Sequence, residues 1–161
     1  MEILYIKQKA FSFGDKYKVF DEKGNVKFFV SSKIFSIHHV KYIYDADNNF
    51  VMTIFRKCSG IIPQYFVYDE NDEIMETIIV KFSVNKDFDV EANKVNNYSV
   101  RGDFYGLNLQ FYNGEEEVVS LSKKLFQFVD SYEIKIYNLS YTKYIVGFVI
   151  AFDNCVHNRK S

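Results

Sequence analysis

The segment from Tyr141 to Val156 constrains the fold more than any other part of the chain. It reads Tyr-Thr-Lys-Tyr-Ile-Val-Gly-Phe-Val-Ile-Ala-Phe-Asp-Asn-Cys-Val and is apolar on nearly every side through its centre. Its β-branched residues Ile145, Val146, Val149 and Ile150 would suit a strand buried on both faces, and periodicity alone does not separate that from a buried helix. Length decides the matter: the segment has no turn cluster before Asp153 and exceeds an ordinary strand, and Ser140 can serve as its N-cap. We therefore read a helix, and a helix apolar all round must be enclosed by protein. Its uninterrupted apolar run, Tyr144 to Phe152, is far shorter than the roughly 20 residues of a membrane-spanning helix.

Nearly everything before that segment alternates with a period of two. Tyr132, Ile134 and Ile136 alternate with Ser131, Glu133 and Lys135; Leu107, Leu109 and Phe111 alternate with Asn108 and Gln110; Tyr17 and Val19 alternate with Lys16 and Lys18. This is the pattern of half-buried antiparallel strands. Aromatic abundance agrees, with 17 Phe and 13 Tyr against a single Pro. Turn clusters separate the strands: Asp21 to Asn25, Asp45 to Asn49, Asp69 to Glu73, and Asn113-Gly114-Glu115. Asp and Asn bond to nearby backbone in turns, and Gly supplies positive φ. The expected strands are 2–8, 16–21, 26–31, 37–44, 50–57, 65–69, 75–82, 86–92, 97–101, 107–112, 117–122 and 131–137. No linker divides them, so residues 1–161 are expected to form a single domain.

Twelve strands and one buried helix fit together for a physical reason. A barrel of about eight strands fills itself with side chains, and a wider one leaves a void. A helix about 10–12 Å across can fill it. Burial at roughly 1.5–3 kcal/mol per large apolar side chain makes this plug worth more than the net stability of a typical domain, about 5–15 kcal/mol. The fold class expected is mainly β, a closed twelve-stranded antiparallel barrel around a carboxy-terminal hydrophobic helix. A duplication is also visible. Gly14-Asp15, Gly24 and Ser32-Lys33 match Gly102-Asp103, Gly114 and Ser122-Lys123 at offsets of 88 to 90 residues, and Phe35 with Phe126 continues the match.

Several stretches carry a family likeness. They are Tyr5-Ile6-Lys7-Gln8-Lys9, Asp21-Glu22-Lys23-Gly24, Tyr98-Ser99-Val100-Arg101-Gly102-Asp103-Phe104, Ser122-Lys123-Lys124, Asp130-Ser131-Tyr132-Glu133-Ile134 and Gly147-Phe148-Val149-Ile150-Ala151-Phe152-Asp153. In this order, over essentially the whole chain, the sequence resembles the LURP-one-related family of the Tubby carboxy-terminal-like superfamily, including its short bacterial members. The resemblance implies the same closed twelve-stranded barrel around a central helix. It also brings an analogy, because Tubby members bind phosphoinositide headgroups and phospholipid scramblases are proposed relatives. Fold does not fix function. No lipid-binding motif of the family maps residue by residue onto this chain, so no site is transferred.

The chemistry-bearing residues are few. Lys+Arg number 20 against 21 Asp+Glu, a net charge of −1, which disfavours a nucleic-acid partner. The densest basic spots are Lys7 with Lys9, Lys16 with Lys18, Lys123-Lys124, and the tail His157-Asn158-Arg159-Lys160. A Cys–His hydrolase would draw on Cys58, Cys155, His38, His39 and His157, and nothing in the sequence brings them together. His38 and His39 are adjacent in an expected strand and should point to opposite faces. Cys155 is expected to be inert packing in the helix, and both thiols suit a reducing cytoplasm. Asp45-Ala46-Asp47-Asn48-Asn49 begins like a calcium loop but has Phe50 in place of the turn Gly and Arg56 in place of the bidentate Glu; Asp69 to Glu73 fails likewise, with Ile74 and Val80 at those positions. The glycines form no phosphate loop, and Glu115-Glu116-Glu117 reads as a solvated turn.

The reading is a cytoplasmic, non-enzymatic binding or scaffold domain without cofactor, metal or catalytic residues, peripheral at a membrane if an anionic phospholipid headgroup is its ligand. Lys123 and Lys124 are the candidate ligand-binding residues. The alternatives are a protein–protein interaction or regulatory module, which needs an exposed apolar patch, and, more remotely, a hydrolase.

Overall fold

In a computed structural model, the chain is described over residues 1–8, 17–32, 40–57, 64–79, 89–92, 98–103, 108–126 and 129–157. It contains β1 (Glu2–Gln8), β2 (Tyr17–Asp21), β3 (Val26–Ser32), β4 (Lys41–Asp45), β5 (Phe50–Lys57), β6 (Gln64–Asp69), β7 (Ile74–Ile79), β8 (Asp89–Ala92), β9 (Ser99–Asp103), β10 (Asn108–Asn113), β11 (Glu116–Phe126) and β12 (Val129–Ile136). A short 3-10 turn, Leu139–Tyr141, then leads into helix α1, Thr142–His157. The twelve strands and the helix stand where alternation and turn chemistry put them. The cap differs: the Asn138 side chain accepts the Ser140 backbone N–H at 3.1 Å, because one 3-10 turn precedes the helix and moves the capping role from Ser140 to Asn138.

All twelve strands join one antiparallel sheet in the order β8-β7-β6-β5-β4-β3-β2-β1-β12-β11-β10-β9. Every neighbour in that order is also a neighbour in sequence except β1 and β12, which bring the two ends of the strand run together. The expected hydrogen-bonded closure is not among the described pairings. The sheet's edges are β8 and β9, and although their Cα atoms come within 8 Å, no backbone ladder joins them among the described residues.

The sheet wraps the helix. Tyr144 to Phe152 are all buried, Gly147 included in the packing: a Cβ on it would lie 3.3 Å from Val67 Cγ1 and 3.4 Å from Met52 Sδ. Glycine therefore lets the helix approach β5 and β6 closely. The next residue, Phe148, meets Phe111 on β10 edge to face, with centroids 5.0 Å apart. Adjacent helix residues thus touch opposite arms of the sheet, and one apolar core contains side chains from both arms and from the helix.

Three hairpins repeat one design at intervals of 24 residues. Asp21, Asp45 and Asp69 each turn the carboxylate onto the loop that follows. Asp21 Oδ1 accepts from the N–H groups of Lys23 and Asn25, Asp45 Oδ1 from Asp47 and Asn49, and Asp69 Oδ1 from Asn71 and Glu73, all at 2.8–3.0 Å. The positive-φ place three residues on holds Gly24, Asn48 and Asp72, residue types that tolerate it. A bulge precedes each turn, at Val19/Phe20, Ile43/Tyr44 and Val67/Tyr68. Gly114 also occupies the left-handed region, in the shorter β10–β11 hairpin and beyond a bulge at Phe111/Tyr112; Gly14, Asp15, Lys33 and Phe35 of the expected duplication lie outside the described residues.

Candidate functional site

Lys123 and Lys124 are neighbours on β11, so their side chains leave opposite faces of the sheet. Lys123 pairs with Tyr132 on the helix-facing side, in line with buried Leu121. Lys124 is on the outer side, where its Nζ lies 3.3 Å from Glu133 Oε1; Lys135 Nζ is 3.9 Å from the same oxygen. The two residues do not converge on one ligand, and one of them is committed to a carboxylate.

Another basic pair shares one face of the sheet. Ile6 and Val19 point into the core, which turns their strand neighbours Lys7 and Lys18 outward, and the β1–β2 register sets these two lysines directly opposite each other. Each crosses an aromatic ring: Lys7 Nζ is 5.4 Å from the centroid of Phe20, and Lys18 Nζ is 5.6 Å from that of Phe29. Both lysines are exposed, and neither has an ion-pair partner among the described residues. Like charges facing each other across strands are unfavourable. The ring faces offset part of that, at about 0.5–1 kcal/mol for an exposed cation. The result is two cross-strand cations, each on an aromatic support. Alternation alone identified Lys18 as outward; the hairpin register supplies its partner.

A second polar centre lies inside the sheet. Glu76 is fully buried on β7, opposite Val67 on β6 and Ala92 on β8. The Tyr98 hydroxyl, immediately before β9, donates to Glu76 Oε1. Glu76 Oε2 has no hydrogen-bond partner among the described residues. Burial, partly opposed by the Tyr98 bond, pushes the Glu76 carboxyl up to about 8, so near neutral pH it is protonated. The same burial, with Glu76 beside it, raises the Tyr98 phenol further. Tyr98 also packs against Phe111 and Tyr141, with centroids 5.5 and 6.1 Å away. Strand alternation does not reveal this pair, but the 24-residue repeat singles out Glu76: its position is that of Phe28 and Met52 in the preceding hairpins, each opposite its equivalent of Val67. A carboxyl occupies a slot built for large apolar side chains.

The other candidates divide differently. His38, His39 and Cys58 lie outside the described residues, and so do the side chains of Cys155 and His157. Asp45 has its carboxylate taken up by its own turn, where Asn49 Nδ2 donates to Oδ2 at 3.0 Å; that bond holds its pKa below the usual carboxylate range. Lys41, which stands where the other repeats have Tyr17 and Tyr65, is buried with its Nζ 4.5 Å from the Tyr17 ring centroid.

The sequence matches the model of the family described as LURP-one-related over residues 2–153. The fold is similar to that of an Arabidopsis thaliana protein known from an X-ray structure, with a TM-score of 0.66 at 18% identity, covering 96% of this chain and 91% of that one. No curated protein matches the sequence.

Proposed function

The chain belongs to the LURP-one-related family, and from that premise we propose that it is a non-enzymatic domain that docks on anionic phospholipid headgroups through the outer face of β1 and β2. The reading takes the wrapped sheet as a closed barrel acting as a rigid support, in the cytoplasm and peripheral at the membrane. What carries it is the Lys7–Lys18 pair: two exposed like charges held opposite each other with no carboxylate to answer them among the described residues. A phosphate-bearing surface would relieve that repulsion. Each basic residue near an anionic surface contributes about 1 kcal/mol. Phe20 and Phe29 beneath them supply apolar area at the headgroup level. Lys124 is a weaker contributor because Glu133 competes for it, and Lys123 is on the other face.

The test is vesicle flotation at low salt, using phosphatidylcholine vesicles with and without phosphatidylserine or a phosphoinositide. The protein is expected to float only with the anionic vesicles, to be released by salt, and to lose roughly thirtyfold in affinity in a Lys7→Ala, Lys18→Ala double variant. Failure to float with any anionic vesicle overturns the proposal. A protein-interaction module is the second reading, favoured by the outward aromatics of β4 to β6, where Tyr44 meets Phe50 and Phe66 meets Tyr68 at centroid distances of 6.0 and 6.5 Å.

A further inference from the structure

The interior polar pair sits at the β8–β9 seam, where no ladder joins the strands among the described residues. β7 and β8 form one end of the sheet, β9 forms the other, and the Tyr98–Glu76 hydrogen bond crosses between them. In the repeat frame the same inward position is apolar twice and acidic once, at the hairpin beside this seam. Apolar packing would fill the slot without a polar group, so the carboxyl needs a reason to be there.

Its surroundings define what it can do. Glu76 stands opposite Val67 of β6, which packs on Gly147, and opposite Ala92 of β8. Among the described residues, the ionisable groups on this side of the core include Tyr98, with Tyr141 of the 3-10 turn and Tyr144 of α1 close enough to Tyr98 to act on it, and Tyr65, buried on β6 two residues from Val67; Glu116 acts on Tyr141 from β11. Among the described residues, no lysine or arginine acts on Glu76. Neutral, the carboxyl accepts from Tyr98 and leaves one oxygen in an apolar setting, which is tolerable. Ionised, it would keep the Tyr98 bond, but Oε2 would need donors that only water can bring. Among the described residues, the boundary beside Glu76 without backbone pairing is the β8–β9 seam.

We propose that Glu76 and Tyr98 form a proton-dependent latch on that seam: local opening between β7–β8 and β9 hydrates Glu76 and releases one proton. The closed state holds the proton and the open state gives it up. Opening therefore becomes easier as pH rises, by about tenfold per unit until the closed-state carboxyl itself titrates, and then levels off. The strands far round the sheet, β2 to β5, do not take part.

Amide hydrogen exchange of the full chain between pH 6 and 9, corrected for intrinsic chemical rates, reads the latch directly. Protection in Ile74–Ile79 and Ser99–Asp103 is expected to fall about tenfold per pH unit up to about pH 8 and then flatten, while β2 to β5 change little. In Glu76→Gln, which keeps the shape of the neutral acid, the same segments should lose this pH dependence. An equal fall in the variant, or a uniform fall over all strands, overturns the proposal. If the variant does not fold, the carboxyl carbon resonance of Glu76 in the wild-type protein decides: titration below pH 6 overturns the latch, and titration near pH 8 with the exchange pattern above supports it.

Discussion

Tyr98 donates its hydroxyl hydrogen bond to Glu76 across the two ends of a twelve-stranded sheet order, from just before β9 to β7 beside β8. A buried acid without a cation beside it makes stability depend on pH in a definite direction. The folded-state pKa is raised from 4.5 to about 8. Glu76 therefore contributes most below pH 4.5, where both states carry the proton, and that contribution is lost progressively as pH rises to about 8. Glu76→Gln should be more stable than wild type at pH 8, by an amount on the order of a few kcal/mol, and the difference should shrink toward pH 5. Urea unfolding midpoints at several pH values check this.

Removal of α1 should prevent folding. Tyr144 to Phe152 are buried within a core that draws on both arms of the sheet, and truncation after Asn138 would leave that interior empty. The expected product is insoluble or lacks a cooperative melt. A soluble truncation with a sharp thermal transition would refute the plug.

Gly147 marks a close helix–sheet contact, and the two sides of that contact differ in compliance. The Met52 thioether can move, whereas Val67 is β-branched and fixed in β6. Gly147→Ala should be close to neutral, because about 1 kcal/mol of helix propensity offsets the compression. Gly147→Leu should lose at least about 1–3 kcal/mol by overpacking. Thermal melts of the two variants check the contrast.

Lys18→Glu separates the surface from the fold. It replaces a repelling cross-strand pair with an attracting one, so stability should rise by about 0.2–1 kcal/mol. Anionic-vesicle binding should fall at the same time. A variant that loses stability and binding together would point to a structural role for Lys18.

The strands and helix were legible because their signals are local. Turn clusters set the hairpins, alternation set the faces, and a segment apolar all round could only be interior. The binding surface was less so. Alternation already implied that Lys123 and Lys124 point to opposite faces, yet adjacency in sequence suggests a joint patch; a patch on a sheet comes from cross-strand neighbours such as Lys7 and Lys18. Glu76 and Tyr98 lie in different hairpins and meet because the sheet curls round the helix, which no local pattern encodes. The 24-residue repeat marks Glu76 as the exception in its slot, but only the fold names its partner.

The helix at the centre of the curled sheet is the claim on which the rest stands, and a two-dimensional proton NOE spectrum of the full-length chain tests it most directly. Gly147 Hα should show cross-peaks to the Val67 methyls while the Phe148 ring shows cross-peaks to the Phe111 ring, contacts to β6 and β10 made by adjacent residues. Observation of both places the helix between the two arms; absence of either, in a folded sample with assigned resonances, contradicts it.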